Sequence, residues 1–139
     1  MPDVNVLVSA FHADAAQHDV CANWLERAVA GGEPVGLSDG VLTGTIRVMT
    51  HRRIFGDPAP VEVAVEQVEL LRAASGTVRV LPSERFWPIF VDLCPVAGAR
   101  GDLVADAAHA ALAIDHHAIW ITLDRDFTRF PNLSWRLPS

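Results

Sequence analysis

Apolar residues along the chain fall into short segments that alternate between a strand-like and a helical period. Val4 to Ala10 is a compact valine-rich run and reads as a buried strand. From Gln17 to Val29, the apolar positions Val20, Trp24, Leu25 and Ala28 recur at helical spacing, and Gly31 and Gly32 stop the helix. Pro34 to Leu37 predicts a short second strand. Ser38 or Asp39 caps the helix that follows, whose apolar face is Val41, Leu42, Thr45, Ile46 and Met49 and which ends near His51 to Ile54. Pro58 and Pro60 introduce a helix through Val61, Val65, Val68 and Leu71 that ends before Gly76. Thr77 to Leu81 is a third strand. Ser83 to Leu93 is a helix with Pro88 near its first turns or bending it. After a loop marked by Gly98 and Gly101, Asp102 to His117 forms a helix with a small-residue face of Ala107, Ala111 and Ile114. Ala118 to Leu123 is a fourth strand, and Ser134 to Leu137 a short fifth.

Strands alternating with helices predict an α/β sandwich built on a mainly parallel sheet, with residues 1–139 forming one domain. In such sheets the loops at the carboxyl ends of strands carry the chemistry. No internal repeat or low-complexity tract interrupts the pattern.

Composition narrows the class. The chain is 50% hydrophobic and 20% charged, which is globular rather than disordered. No apolar run approaches the roughly 18 residues that cross a bilayer. The start, Met1-Pro2-Asp3, has no positive region or cleavage signal, so a cytoplasmic protein without membrane attachment is expected. Cys21 and Cys94 have no cysteine or histidine at ligand spacing and read as buried thiols. A net charge of −6 argues against nucleic-acid binding by bulk charge. All 11 basic residues counted with lysine are nevertheless arginine, the better phosphate fork.

Carboxylates gather at the predicted element ends. Asp3 opens the first strand, and Asp124 and Asp126 follow the fourth. Asp102 and Asp106 stand four apart at a helix start, on one face. Singly each has an ordinary explanation: Asp102 as a helix cap, Asp124 and Asp126 as a turn. Together they point to a cation, because carboxylates held close repel one another unless one neutralises them. Mg²⁺ and Mn²⁺ take oxygen ligands and suit phosphate chemistry.

The motifs carry a resemblance. Asp3-Val4-Asn5-Val6-Leu7, Gly101-Asp102-Leu103-Val104-Ala105-Asp106-Ala107 and Thr122-Leu123-Asp124-Arg125-Asp126-Phe127-Thr128-Arg129-Phe130 resemble, in order, the three signatures of the PIN-domain toxins of bacterial toxin–antitoxin modules, the VapC type. The resemblance spans nearly the whole chain. It implies a PIN-like three-layer α/β/α sandwich and a Mg²⁺- or Mn²⁺-dependent endoribonuclease that cuts a transfer RNA or ribosomal RNA loop. It further implies a cognate VapB-like antitoxin and a homodimer. By motif, Asp3 and Asp106 are the principal metal ligands, and Asp124 and then Asp126 complete the site. Asn5 holds the first loop and Thr122 belongs to the site floor.

One position departs from the family. A glutamate is expected three residues before the arginine that matches Arg47, and Gly44 stands there. Asp102, where the family often has asparagine, is a candidate replacement for that charge, and Asp39 a weaker one. Arg47, His51, Arg52, Arg53, Arg125 and Arg129 form either a solvated face or a phosphate-binding rim, and Arg47 is also placed to clamp a carboxylate. His109, His116 and His117 suit a helix C-terminal half better than a ligand set. Trp24, Trp87, Trp120 and Trp135 read as core or partner-binding residues, with Trp120 as core. Phe86-Trp87-Pro88-Ile89-Phe90 is core or a groove for an antitoxin helix. Two other classes remain: a degenerate PIN domain that binds without cutting, and a phosphoryl-acceptor domain, which the absence of any lysine disfavours.

Overall fold

A computed structural model describes residues 1–139. Its helices are α1 (Val4–Phe11), α2 (His18–Ala30), α3 (Asp39–Met49), α4 (Val61–Ala73), α5 (Phe86–Ala97) and α6 (Asp102–Asp115). Its strands are β1 (Val35–Ser38), β2 (Thr77–Val80), β3 (Trp120–Ile121) and β4 (Trp135–Arg136). A short 3-10 helix covers Arg125–Arg129.

Every strand pairing is parallel. β1 pairs with β2 in the register Val35 to Thr77 through Ser38 to Val80. β3 pairs with β4, and Pro2 makes a parallel bridge to Ile121 on the other side. The Asp3 amide donates to the Ile121 carbonyl at 2.8 Å, and the Ile121 amide to the Met1 carbonyl at 2.9 Å. Met1 to Asp3 therefore forms a strand segment beside β3. α1 packs on α2 and α3, α3 on α4, and α5 on α6. One core joins helices and strands: Leu7, Trp24, Leu37, Val41, Ala111, Trp120 and Phe127 are all buried in it.

The main departure from the sequence reading is the first element. Val4 to Phe11 is a helix, and the strand shrinks to the three residues before it. The Asp3 carboxylate accepts the Val4 amide at 2.6 Å and so caps α1 at its first residue. Val6, Leu7, Val8 and Ala10 are all buried. An element enclosed on most sides shows no polar stripe, and a short apolar run cannot then be told from a strand. Burial outweighs the modest helix penalty of valine.

Smaller shifts follow local chemistry. Ser38, not Asp39, caps α3, its hydroxyl accepting the Val41 amide at 3.2 Å. α3 stops at Met49, short of the expected end. α5 starts three residues later than expected and runs to Ala97. Pro88 falls in its first turn, where no intrahelical donor is lost, and Pro95 in its last. Gly98 ends α5 at φ 63°, in the left-handed conformation that glycine adopts without strain.

Candidate active site

Three segments meet where β3 ends. The Asp3 carboxylate is buried, at 6% exposure. Its Oδ2 accepts Thr122 Oγ1 at 2.6 Å and Asn5 Nδ2 at 2.8 Å, while Oδ1 holds the Val4 amide. Thr122, itself fully buried, accepts Asn5 Nδ2 at 3.1 Å and the Asp124 amide at 3.0 Å. Asn5 Oδ1 accepts the Leu123 amide at 3.0 Å. The first turn of α1 and the loop after β3 are thus locked together through one threonine hydroxyl and one asparagine amide. Buried polar groups so connected hold a single geometry.

The carboxylates sense one another. Burial pushes the Asp3 carboxyl up to about 6; hydrogen bonds from Thr122 and Val4 pull against it, and the charges of Asp106 and Asp124 push it further. Asp106, half-buried in the second turn of α6, is also raised, first by burial, then by Asp124 and Asp102. Arg129 pulls it down and Asp126 pushes it up. Asp3, Asp106 and Asp124 share one field from three segments. They do not close into a ready three-ligand cage of the kind a buried structural metal occupies.

The other expected residues sort by position. Asp124 is exposed and caps the 3-10 helix, its Oδ1 accepting the Asp126 amide at 2.8 Å. Asp126 is 75% exposed in its side chain and pairs with Arg129 at 3.1 Å. Asp102 is exposed and makes no capping bond; Gly101, at φ 57°, occupies the cap position. Asp102 reaches the site only as a charge felt by Asp106. Asp39 turns away to Arg79, which donates to both of its carboxylate oxygens. Arg47 is exposed and makes no ion pair, because the core face of α3 is Val41, Leu42, Thr45 and Met49; the expected carboxylate clamp is absent. Arg52, Arg53 and Arg125 are exposed.

Gly44 faces α1. A β-carbon built there meets Val4 Cγ2 at 2.8 Å. His109 lies flat on Trp120, ring centroids 5.4 Å apart, and serves the core. His116 caps α6 and its Nε2 meets the Leu81 carbonyl at 2.7 Å. Sequence reasoning grouped Arg129 with a general cationic rim. Its specific place, bonded to Asp126 and acting on Asp106, is set by the 3-10 turn; the three-residue spacing to Asp126 was the signal available.

Donors at the site are all oxygen, which suits a hard divalent cation held by one or two carboxylates and water. Asp3 supports the fit. Its ionised form is disfavoured by burial and by two like charges, and an added cation offsets both.

Comparisons with known proteins bear on the family and the fold. The model of the PIN domain family matches residues 1–133. A VapC ribonuclease of Mycobacterium bovis is 44% identical over 136 residues, covering 98% of this chain and 92% of the relative. Ribonuclease VapC25 of Mycobacterium tuberculosis is 36% identical over 131 residues, covering 94% and 92%. Among solved structures, VapBC2 of Rickettsia felis, bound to a DNA fragment from its promoter, superposes with a TM-score of 0.70 at 20% identity. That match covers 100% of this chain and 98% of the other. VapBC-1 of nontypeable Haemophilus influenzae gives 0.69 at 18% identity, covering 99% and 96%.

Proposed function

This chain belongs to the PIN-domain family, in the branch of the VapC ribonucleases, and from that premise we propose that it is the toxin of a toxin–antitoxin pair, a Mg²⁺- or Mn²⁺-dependent endoribonuclease. The observation that carries the reading is the buried Asp3–Thr122–Asn5 network with Asp106 and Asp124 in its field. A domain assembled for packing alone has no reason to bury a carboxylate beside two others.

Asp3 and Asp106 would hold the ion, with Asp124 assisting. A divalent cation there would supply polarisation of a phosphoryl oxygen and a more acidic water. Thr122 and Asn5 fix the Asp3 carboxylate through its Oδ2, leaving its orientation no freedom. Asp126 orients Arg129, whose guanidinium lies near enough to Asp106 to stabilise its ionised form and to meet a substrate phosphate. Looped RNA, of a transfer RNA or ribosomal RNA, is the substrate class that splays most readily into such a site. No helix is long and apolar enough to cross a membrane, which fits work on cytoplasmic RNA. A VapB-like antitoxin and a homodimer complete the reading. The exposed Trp87, tilted against Phe90 at 5.5 Å, gives either partner an apolar face on α5.

The test is cleavage of total RNA by the purified protein with Mn²⁺ or Mg²⁺, with and without chelator, beside Asp106→Asn. Mapped 5′ ends that appear only with parent protein and metal support the proposal. Equal cutting by Asp106→Asn contradicts it.

A second reading has its own observation. Gly44 stands where the family's glutamate is expected, and Val4 fills the space beside it. A domain that binds RNA or antitoxin without cutting follows if parent protein retards RNA yet produces no ends at any metal concentration.

A further inference from the structure

Four of the chain's six histidines use a ring nitrogen inside the fold. His18 meets the Ser9 carbonyl, His51 the Arg53 amide, His116 the Leu81 carbonyl and His117 the Arg85 guanidinium. His12 stacks on Phe55, with its Nδ1 sealed from solvent. His109 differs from all of these. It is half-buried, its ring makes no hydrogen bond, and neither of its nitrogens is a sealed atom.

Each neighbour of this ring leads to the carboxylates. Along α6, Asp106 stands three residues before it on the same face, about 5–6 Å away between β-carbons. One face of the ring packs on Trp120, with centroids 5.4 Å apart and planes 16° from parallel. Two residues after Trp120 comes Thr122, whose hydroxyl donates to Asp3. On the third side is Gly40, in the first turn of α3; one turn further on, Gly44 meets Val4, the residue after Asp3. A β-carbon built on Gly40 would stand 3.5 Å from His109 Cε1, the atom bonded to both ring nitrogens. The nitrogen-bearing edge therefore points at a glycine. Gly40 is itself exposed, so the gap it leaves opens to solvent.

Burial holds this imidazole below its ordinary range, and no carboxylate is bonded to it to offset that. At neutral pH the ring is uncharged and carries one donor and one acceptor. A phosphate calls for donors and positive charge, and gains little from such a ring. A ribose hydroxyl both donates and accepts, and it is the group that separates RNA from DNA. We infer that His109 hydrogen-bonds the ribose 2′-hydroxyl beside the scissile phosphate and so selects RNA over DNA at the carboxylate site. Trp120 fixes the plane of the ring beforehand, so little ordering is needed when substrate arrives. The inference deepens the endoribonuclease reading and rests on it.

The test uses the purified full chain with Mn²⁺ and an RNA of about 20 nucleotides spanning a cut mapped in total RNA, long enough to cover the site. Single 2′-deoxynucleotides are placed on either side of the cut. In the parent, one of these substitutions should slow cleavage about tenfold. His109→Phe keeps a flat ring on Trp120 and removes both nitrogens. It should slow cleavage of the all-ribose RNA by a similar factor, and the deoxy substitution should then cost it less than about twofold. His109→Gln, which can donate and accept, should recover part of both effects. Thermal melts show that the variants are folded, and a melted His109→Phe is replaced by His109→Leu, read the same way. A deoxy penalty equal in parent and variant overturns the inference and leaves cleavage standing, as does full activity of His109→Phe. If the parent cuts no RNA with metal, the cleavage reading fails and His109 is judged by binding of randomised RNA and DNA oligonucleotides in Mn²⁺. A preference for RNA that His109→Phe loses then supports the contact. No preference in the parent, or one that the variant keeps, overturns it.

Discussion

Val4 Cγ2 lies 2.8 Å from where a β-carbon on Gly44 would stand. α1 and α3 meet at this point, and the glycine is what lets them approach. The missing glutamate therefore reflects a packing choice as well as a lost charge. Gly44→Ala gains up to about 1 kcal/mol of helix propensity but forces the stiff, β-branched Val4 aside, an overpacking cost of about 1–3 kcal/mol. The expected outcome is a net loss in denaturant midpoint. Val4→Ala combined with Gly44→Glu should regain folding relative to Gly44→Glu alone. If Gly44→Glu alone matches the parent in midpoint, the contact does not constrain the site.

The buried Asp3 makes stability depend on pH. Its folded-state value of about 6 lies above the ordinary 3.8, so the folded state holds the proton more tightly than the unfolded chain. Its contribution is then most favourable below about 4 and is lost as pH rises towards 6. The difference amounts to about 3 kcal/mol against the ionised form at neutral pH. The melting temperature without metal should fall between about pH 4 and pH 6, and Asp3→Asn should flatten that slope. Mn²⁺ at pH 7 should raise the parent's melting temperature and leave that of Asp3→Asn unmoved. A parent insensitive to Mn²⁺ at millimolar concentration would mean that these carboxylates do not gather a cation.

Thr122 donates to Asp3 while accepting from Asn5 and from the Asp124 amide. Thr122→Val keeps the shape and removes the donor, leaving buried acceptors and donors unmatched at about 1–3 kcal/mol. It also removes a bond that favours the ionised Asp3. Cleavage at neutral pH should drop by about tenfold or more, with part of the loss recovered at higher pH as Asp3 ionises. Thr122→Ser, which keeps the hydroxyl, should retain most activity. Equal loss in both variants would show that the methyl group, not the hydroxyl, matters.

Asp115, buried at the end of α6, titrates in the opposite sense. Burial works against its charge, but the Ser83 hydroxyl and amide, with His116 and Arg85 nearby, outweigh it and hold the carboxyl below its ordinary range. Its stabilisation is present above the ordinary carboxyl value near 4 and is lost as pH falls below that. Ser83→Ala should cost about 1–2 kcal/mol at pH 7 and progressively less below pH 4, followed by denaturant melts across that range. A cost that stays constant with pH would assign the effect to the helix start rather than to the carboxylate.

What could be read from the chain was whatever depends on neighbours in sequence. The spacing of Trp24, Leu25 and Ala28, the prolines before α4 and the serine before α3 each act within a turn or two, and those helices lie close to where they were expected. The order of the three acidic motifs identified the family for the same reason: a motif is local.

Tertiary structure decided the rest. Val4 to Phe11 is helical because the core surrounds it, and an enclosed segment bears no polar stripe to mark its period. Asp102 and Asp106 share a helix face by spacing, yet only Asp106 enters the half-buried region where burial raises its carboxyl. Asp39 read from the sequence as a helix cap or a spare site carboxylate, and it is taken by Arg79, forty residues away on β2. Which carboxylates can share a cation depends on desolvation and on charges from distant segments, and neither is a property of local sequence.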